Sequence, residues 1–565
     1  MRKKEIHSGT VKKLKFPNKG LICDLDGITD AERKEKGEEI PYVIVKNVLP
    51  GQRITFAVSN KKNKRYEGRV LEVLEKSPIQ TEDYFCRNGE RCGGCSYQTL
   101  AYEEQLNLKT SMVKDLIKDQ VDEDGGIWED TVESPERSGY RNKMEYSFGN
   151  EYKDGPLMLG LHKKGSLYDV ITCDDCKLVD EDFNKLVKTT LEYCRDKELP
   201  LYNKIIHVGY LRHFLLRRSA TDGGLLVHII TSSQFDHDFS ELGEIYKGLN
   251  LTGHIEGFIH IINDRVADTV QCDEYNIIFG ADHLTEEILG LKFNVSTFSF
   301  FQTNTRGAEM LYSVAREYIY EASSGRKSTV YDLYTGTGTI AQMMASEADR
   351  VVGVEIVEDA VKAAMENAEL NGLGNCEFIC GDVLNVLDDL KEKPDLIILD
   401  PPREGIHPRA LQKIISYGVE NIVYISCKPT SLKKDLLVMR DNGYTVRKIR
   451  CVDMFPFTGH VETVVLLCRK AEEADRHITV EYYPEGRHME TAPLDASYGR
   501  IAKWIEENYN GMKVHTLYIA QVKRKYGLIE RENYNKSKNP DAKVPECPPE
   551  KEEAIVDALK HFRMI

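Results

Sequence analysis

The stretch from Thr329 to about Leu467 constrains the fold more than any other part of the chain. Four apolar runs, residues 329–333, 350–354, 396–399 and 422–425, recur there with helical stretches between them. Runs this short and apolar suit strands buried on both faces, and their alternation with helices predicts an α/β domain built on a doubly wound parallel sheet. Ligands of such sheets bind beyond the carboxyl ends of the strands. The residues that directly follow each run are therefore the first candidates for function.

The first run opens Val330-Tyr-Asp-Leu-Tyr-Thr-Gly-Thr-Gly-Thr-Ile340, a strand, a glycine-rich turn and a helix start. Gly336 and Gly338 let the backbone approach a ligand closely. The second run leads to Glu355, about 20 residues further on, where a carboxylate can accept hydrogen bonds from both hydroxyls of a ribose. Asp382 and Asp400 are two more acids at strand ends. Ala341 is an allowed substitute for the third glycine of a dinucleotide fingerprint, so this segment alone leaves a nicotinamide ligand open.

The fourth run ends in Ser426-Cys427-Lys428-Pro429. A thiol there lies at the ligand-binding edge, and Lys428 beside it is expected to favour the thiolate. Further on, Asp453-Met-Phe-Pro-Phe-Thr-Gly-His-Val-Glu462 supplies a carboxylate just before a final apolar strand. Taken singly, Cys427 reads as a core residue and Glu462 as a surface acid.

Fourteen cysteines in a chain of 565 residues are mostly scattered, but Cys86-x5-Cys92-Gly-Gly-Cys95 places three thiols within ten residues. A cubane iron-sulfur cluster takes four thiolates, so a fourth must come from a distance, and Cys173 and Cys176 are both available. Spacing leaves a four-thiolate zinc site equally open. Such clustering suits a reducing compartment better than a disulfide scaffold does. With no apolar run of membrane-spanning length and a basic start lacking the apolar core of a secretory signal, a cytoplasmic protein without a membrane partner is expected.

The net charge of −15 argues at first against a nucleic-acid partner. Its distribution is uneven: residues 1–77 carry +7 and the remainder −22, so the basic end could dock a polyanion or could be solvated surface. Short strand-like runs at 42–46, 53–58 and 66–74, with a turn at Pro50-Gly51, suit a small β-barrel of the oligonucleotide-binding kind over 1–77. Residues 78–300 read as a mixed α+β region, with a helix over 102–119 and strands at 144–148 and 225–230. Residues 301–469 hold the α/β domain. Residues 470–565 read as a helical extension, with helices over 497–508, 517–526 and 549–562. In the second of these, Lys523, Arg524 and Lys525 cluster beside an apolar face, and Lys536, Lys538 and Lys543 follow. That is the pattern of an RNA-binding helix or of a solvated one.

Taken together, Phe300-Phe-Gln-Thr-Asn304, Asp332-Leu-Tyr-Thr-Gly336, Asp400-Pro-Pro-Arg403, Ser426-Cys-Lys-Pro429 and the Asp453–Glu462 motif resemble the RNA uracil-C5 methyltransferase family. The likeness is closest to its ribosomal-RNA branch, which joins a TRAM barrel, an iron-sulfur cluster and a Rossmann-like class I methyltransferase domain. The resemblance implies S-adenosylmethionine as methyl donor, held by Gln302, Tyr334, Glu355, Asp382 and Asp400. It implies Cys427 as the nucleophile that adds to C6 of uracil, and Glu462 as the base that removes the C5 proton. It also implies a [4Fe-4S] cluster on Cys86, Cys92, Cys95 and Cys176, since Cys176-Lys-Leu178 matches the Cys-x-Leu context of the family's last ligand.

Two departures stand out: Thr335 where the family often has cysteine, and Ser431 where it often has threonine. An RNA cytosine-C5 methyltransferase would carry a second cysteine in the motif that here reads Asp400-Pro-Pro-Arg403. A non-catalytic RNA-binding or ribosome-assembly factor would have no need of Cys427 and Glu462. The expected partner is ribosomal RNA, with transfer RNA as the alternative, and the chain is expected to act as a monomer.

Overall fold

The computed structural model describes residues 3–25, 42–62, 65–123, 125–323, 328–390, 392–470, 498–526, 547–562 and 564. The chain forms two compact units, Met1–Glu473 and Ala474–Ile565.

The first unit opens with β1 (Ile6–Lys15), β2 (Lys19–Leu25), β3 (Tyr42–Lys46), β4 (Arg53–Lys62) and β5 (Arg65–Glu75), closed into a barrel in the order β1-β2-β3-β5-β4. The last three match the strands expected from sequence. The first two do not announce themselves, because β1 buries Gly9, Val11 and Leu14 at a spacing that changes from two to three. A register irregularity between Val11 and Lys13 causes the change.

Helix α1 (Tyr102–Asp122) and the short β6 (Ile127–Trp128) come next. Then β7 (Lys143–Gly149), β8 (Met158–His162), β9 (Val170–Thr172), β10 (Leu211–Arg218), β11 (Gly224–Thr231), β12 (His254–Ile262) and β13 (Glu274–Gly280) form one sheet, ordered β13-β12-β11-β10-β7-β8-β9. Helices α2 (Glu181–Asp196) and α3 (Ser240–Lys247) accompany it, and the hairpin β14 (His283–Ile288) and β15 (Leu291–Ser296) follows.

Helix α4 (Thr305–Ser323) leads into β16 (Thr329–Leu333), α5 (Thr339–Met344), β17 (Arg350–Glu355), α6 (Glu358–Leu370), β18 (Cys376–Cys380), α7 (Val383–Asp389) and β19 (Leu396–Leu399). The chain continues through α8 (Pro408–Ser416), β20 (Asn421–Ser426), α9 (Pro429–Asp441), β21 (Tyr444–Val452) and β22 (Glu462–Arg469). The strand order is β18-β17-β16-β19-β20-β22-β21-β6. Strands β16 to β20 pair in parallel, with β16, β19 and β20 buried along almost their whole length, as the apolar runs require.

The sheet is not wholly parallel, which corrects the expectation from sequence. The loop of residues 453–461 reverses the chain after β21, so β22 inserts antiparallel between β20 and β21. As a result the first residue of β22 lies at the same edge as the carboxyl ends of the parallel strands. The outermost strand, β6, comes from the region preceding this domain and pairs with β21.

The second unit holds α10 (Tyr498–Asn508), α11 (Thr516–Lys525) and α12 (Pro549–His561), packed on Ile501, Ile505, Ile519, Val522, Ile555 and Leu559. These are the three helices expected from sequence. Ser497, Lys536, Lys538 and Lys543 lie outside the described residues. Among the described residues, no helix is long and apolar enough to cross a membrane.

Candidate active site and cysteine cavity

Each strand end delivers one polar residue to the same edge. Cys427 follows β20 directly, and Glu462 begins β22. Their strands pair antiparallel with Ser426 opposite Thr463, so the register carried one residue further sets Cys427 across from Glu462.

The electrostatics of the edge agree with that geometry. Burial pushes the Cys427 thiol up to about 11, and the carboxylates of Glu462 and Asp400 push it in the same direction. Glu462 is 5% exposed, and burial followed by the neighbouring Asp400 raises it to about 8. Asp400 rises to about 7 through burial and the proximity of Asp332. The opposing cation at both Cys427 and Glu462 is Arg403. Lys428 takes no such part, so the expectation that it favours the thiolate is corrected. As the residue just before α9 it is the cap, with an extended backbone (φ −141°), and the acids across the sheet edge outweigh it.

The loop after β19 is held in place by Ser431, whose hydroxyl donates to the Arg403 carbonyl (2.7 Å), and by Asp435, which accepts from the Tyr424 hydroxyl (2.7 Å) and the Ile406 N–H (3.1 Å).

The glycine-rich turn forms the second half of the edge. Tyr334 adopts a left-handed conformation (φ 71°), and its N–H donates to the Val354 carbonyl (2.9 Å). Gly336 (φ 57°) donates its N–H to Glu355 Oε2 (3.1 Å), and a Cβ there would meet open space. Gly338 is different: a Cβ would lie 2.8 Å from the Phe378 ring, so this glycine permits α5 to pack against the sheet. Glu355 Oε1 accepts the Ile356 and Val357 N–H groups (2.8 and 3.0 Å). Those bonds fix the carboxylate at the strand end with acceptor capacity left over. Asp382 caps α7 by accepting the Leu384 N–H (2.9 Å), and its charge is felt by the Tyr334 hydroxyl.

Between these halves sits Asp332, fully buried. Thr335, which replaces the family's frequent cysteine, donates its hydroxyl to Asp332 Oδ2 (2.5 Å), while Oδ1 has no hydrogen-bond partner. Burial raises Asp332 to about 6. Glu355, with acceptor capacity left at its strand end, and the open space beside Gly336 suit a ribose-bearing ligand. Gln302 hydrogen-bonds the hydroxyl of Tyr312, which is buried on α4 and feels the charges of Asp400, Glu462 and Asp332.

Six of the seven residues expected at the active site therefore lie at strand ends along one sheet edge, and Gln302 is tied to them through Tyr312. Tyr312, Asp332 and Arg403 join them without having been singled out. An acid inside the apolar run Val330-Tyr-Asp-Leu333 was a visible signal for Asp332. Tyr312 carried none, being one of three tyrosines on an amphipathic helix.

The cysteines form a separate site. Cys86, Cys92, Cys95, Cys173 and Cys176 line one cavity of about 390 Å³. The Cys86 N–H donates to Gln98 Oε1 (3.1 Å), and the Gly94 N–H donates to the Cys92 sulfur (3.4 Å). The Gly93 N–H reaches the His162 carbonyl (3.0 Å), docking this segment on β8. Asn184 on α2 brackets Cys176, accepting its N–H (2.9 Å) and donating to its carbonyl (3.3 Å). Cys173 hydrogen-bonds Cys92. Among the described residues, no group of three or more His, Cys, Asp and Glu side chains is gathered as for a single metal ion.

Comparison with known proteins shows the family. The family model described as tRNA (uracil-5-)-methyltransferase matches residues 101–470. An uncharacterized RNA methyltransferase of Clostridium tetani is 44% identical over 470 residues, covering 83% of this chain and 99% of the relative. One from Caldanaerobacter subterraneus is 46% identical over 426 residues, covering 75% of this chain and 93% of the relative. Among solved structures, the Pyrococcus abyssi tRNA (uracil-54, C5)-methyltransferase in complex with S-adenosyl-L-homocysteine shares the fold, with a TM-score of 0.62 and 22% identity over 81% of this chain and all of that one. The chain belongs to the tRNA (uracil-5-)-methyltransferase family, the S-adenosylmethionine-dependent RNA methyltransferases that act on C5 of uracil.

Proposed function

We propose that the protein methylates C5 of a uridine in large-subunit ribosomal RNA through a covalent adduct on Cys427. The observation that carries this reading is the opposition of Cys427 and Glu462 on neighbouring strands, with Asp400 and Arg403 beside them. S-adenosylmethionine, the co-substrate, supplies an electrophilic methyl group on a sulfonium.

C5 of uracil is too weak a nucleophile to take that methyl unaided. The Cys427 thiol gives its proton to solvent, the thiolate forms a bond to C6, and the electrons of the C5–C6 double bond move into an enolate; C5 then takes the sulfonium methyl and S-adenosylhomocysteine leaves. Arg403 is the cation that favours both the thiolate and the carboxylate here. Once C5 carries its methyl, Glu462 removes the C5 proton. The C5–H electron pair then restores the double bond, and the sulfur–C6 bond breaks to release a thiolate.

Cys427→Ala and Glu462→Gln test the reading as a pair. The first is expected to abolish methylation while keeping affinity for S-adenosylmethionine, because the thiol acts on the base. The second is expected to accumulate a protein–RNA adduct that survives a denaturing gel. Wild-type turnover by Cys427→Ala would overturn the nucleophile, and normal turnover without adduct in Glu462→Gln would overturn the base.

Ribosomal RNA is preferred as substrate because the barrel and the cysteine cavity accompany the methyltransferase domain, the combination characteristic of the ribosomal branch. Transfer RNA is the second reading, favoured by the description of the matching family. Mapping 5-methyluridine in both RNAs from a deletion strain distinguishes them. For the cavity we propose a [4Fe-4S] cluster on Cys86, Cys92, Cys95 and Cys176.

A further inference from the structure

The cysteine segment and the loop that delivers Glu462 are built around a single residue, Phe457. Five residues before Glu462, it is held in a left-handed conformation (φ 64°) and is 8% exposed. A phenylalanine adopts that backbone only when its surroundings enforce it. Its N–H donates to Gln105 Oε1 (2.7 Å), and its carbonyl accepts the N–H groups of Ser96 (2.9 Å) and Tyr97 (3.0 Å). Its ring stacks on Phe85, with centroids 3.6 Å apart and planes 16° from parallel. The Tyr140 hydroxyl donates to the adjoining Pro456 carbonyl (2.9 Å).

These partners are not scattered. Phe85 precedes Cys86, Ser96 follows Cys95, and Phe457, Cys95, Tyr140 and Leu178 share one small apolar cluster. The start of the loop is anchored as firmly, since the buried Lys109 ammonium binds Asp453 Oδ1 (2.7 Å) and the Phe455 carbonyl (2.9 Å). Among the described residues nothing comparable joins the cysteine segment to Cys427, which directly follows β20.

We propose that residues 85–97 are a positioning element for Glu462. By gripping Phe457 they set the carboxylate for removal of the C5 proton, so disturbing the cysteine cavity slows the elimination that frees the RNA and leaves the formation of the sulfur–C6 bond and the methyl transfer unchanged. This rests on Glu462 being the base.

The test is Phe85→Ala in the full-length, metal-loaded protein, with Glu462→Gln run beside it. Iron content and the amount of methyl transferred in the first turnover are expected to match wild type. Decay of the covalent protein–RNA adduct is expected to slow by about tenfold to a hundredfold, the loss typical of a misplaced catalytic group. Phe85→Tyr keeps the stack and should restore decay. Tyr140→Phe removes only the bond to Pro456 and should slow decay more mildly, which keeps the test open if Phe85→Ala fails to fold. Equal loss of methyl transfer and adduct decay in Phe85→Ala and Tyr140→Phe would reduce the contact to a structural one, and wild-type decay in both would end the proposal. If Glu462→Gln itself traps no adduct, the assignment of the base has failed. If it traps adduct while Phe85→Ala and Tyr140→Phe do not, only the positioning role has.

Discussion

Glu462 carries a stability cost that follows from its place in the sheet. Its folded value of about 8 lies above the ordinary 4.5, so between those pH values the folded chain keeps a proton that the unfolded chain has released. Stability from this group is therefore fully present below about pH 4.5 and is lost as pH rises through 8. Glu462→Gln removes that dependence. The variant should gain on wild type by on the order of 4 kcal/mol at pH 8 and by less than about 1 kcal/mol at pH 5. Thermal melts of both proteins at the two pH values check this, and an equal difference at both would show that the carboxyl is not held protonated. Cys427 and Glu462 were legible in the sequence because each closes or opens an apolar run at a motif. Arg403 and Tyr312 were not, because their relevance comes from charges contributed by other elements. Lys428 misled for the same reason: adjacency in sequence says nothing of the two carboxylates that β19 and β22 bring to the thiol.

At the scale of elements, the antiparallel insertion of β22 is what makes the site. In a wholly parallel sheet a strand's first residue lies at the opposite edge from its neighbour's last, and Glu462 could not meet Cys427. The apolar runs revealed the strands but not their order, which depends on a reversal in residues 453–461 that no periodicity records. The pair Lys109–Asp453, 0% exposed on both sides, fixes that reversal, and its two residues lie 344 positions apart in sequence. The cysteine cavity was legible as a cluster but not as a ligand set, since α2 and β9 bring Cys173 and Cys176 to the same wall. Bracketed by Asn184 and packed on the cluster that holds Cys95, Cys176 should be indispensable, whereas the Cys173 thiol donates to the Ile171 carbonyl (3.6 Å). Anaerobically purified protein should be brown with about four iron atoms per chain, the content of a cubane cluster. Cys176→Ser should lose the iron and Cys173→Ser retain most of it. Stoichiometric zinc without iron would overturn the cluster, and the reverse pattern of loss would exchange the two ligands.

At the scale of the whole molecule, the charges divide between a basic beginning, +7 over residues 1–77, and an acidic remainder. Binding to RNA phosphates releases counterions in proportion to the net positive charge engaged, so the slope of affinity against salt reports which part of the chain meets the backbone. The second unit has its own apolar core of Ile501, Ile505, Ile519, Val522, Ile555 and Leu559. Within the unit, Lys503, Lys513, Lys525 and Lys560 each lie within 4 Å of a carboxylate, on Glu507, Glu506, Glu552 and Asp557. A phosphate approaching these lysines meets the paired acids as well, and the net charge gained is small. Truncation after Arg469 is therefore expected to leave affinity for S-adenosylmethionine unchanged and to alter the salt slope of RNA binding by less than about one phosphate contact. Titrating the two forms with RNA across a salt series decides it. A slope reduced by two or more contacts, in a truncated protein that still binds S-adenosylmethionine, would instead make the helical extension part of the RNA-binding surface.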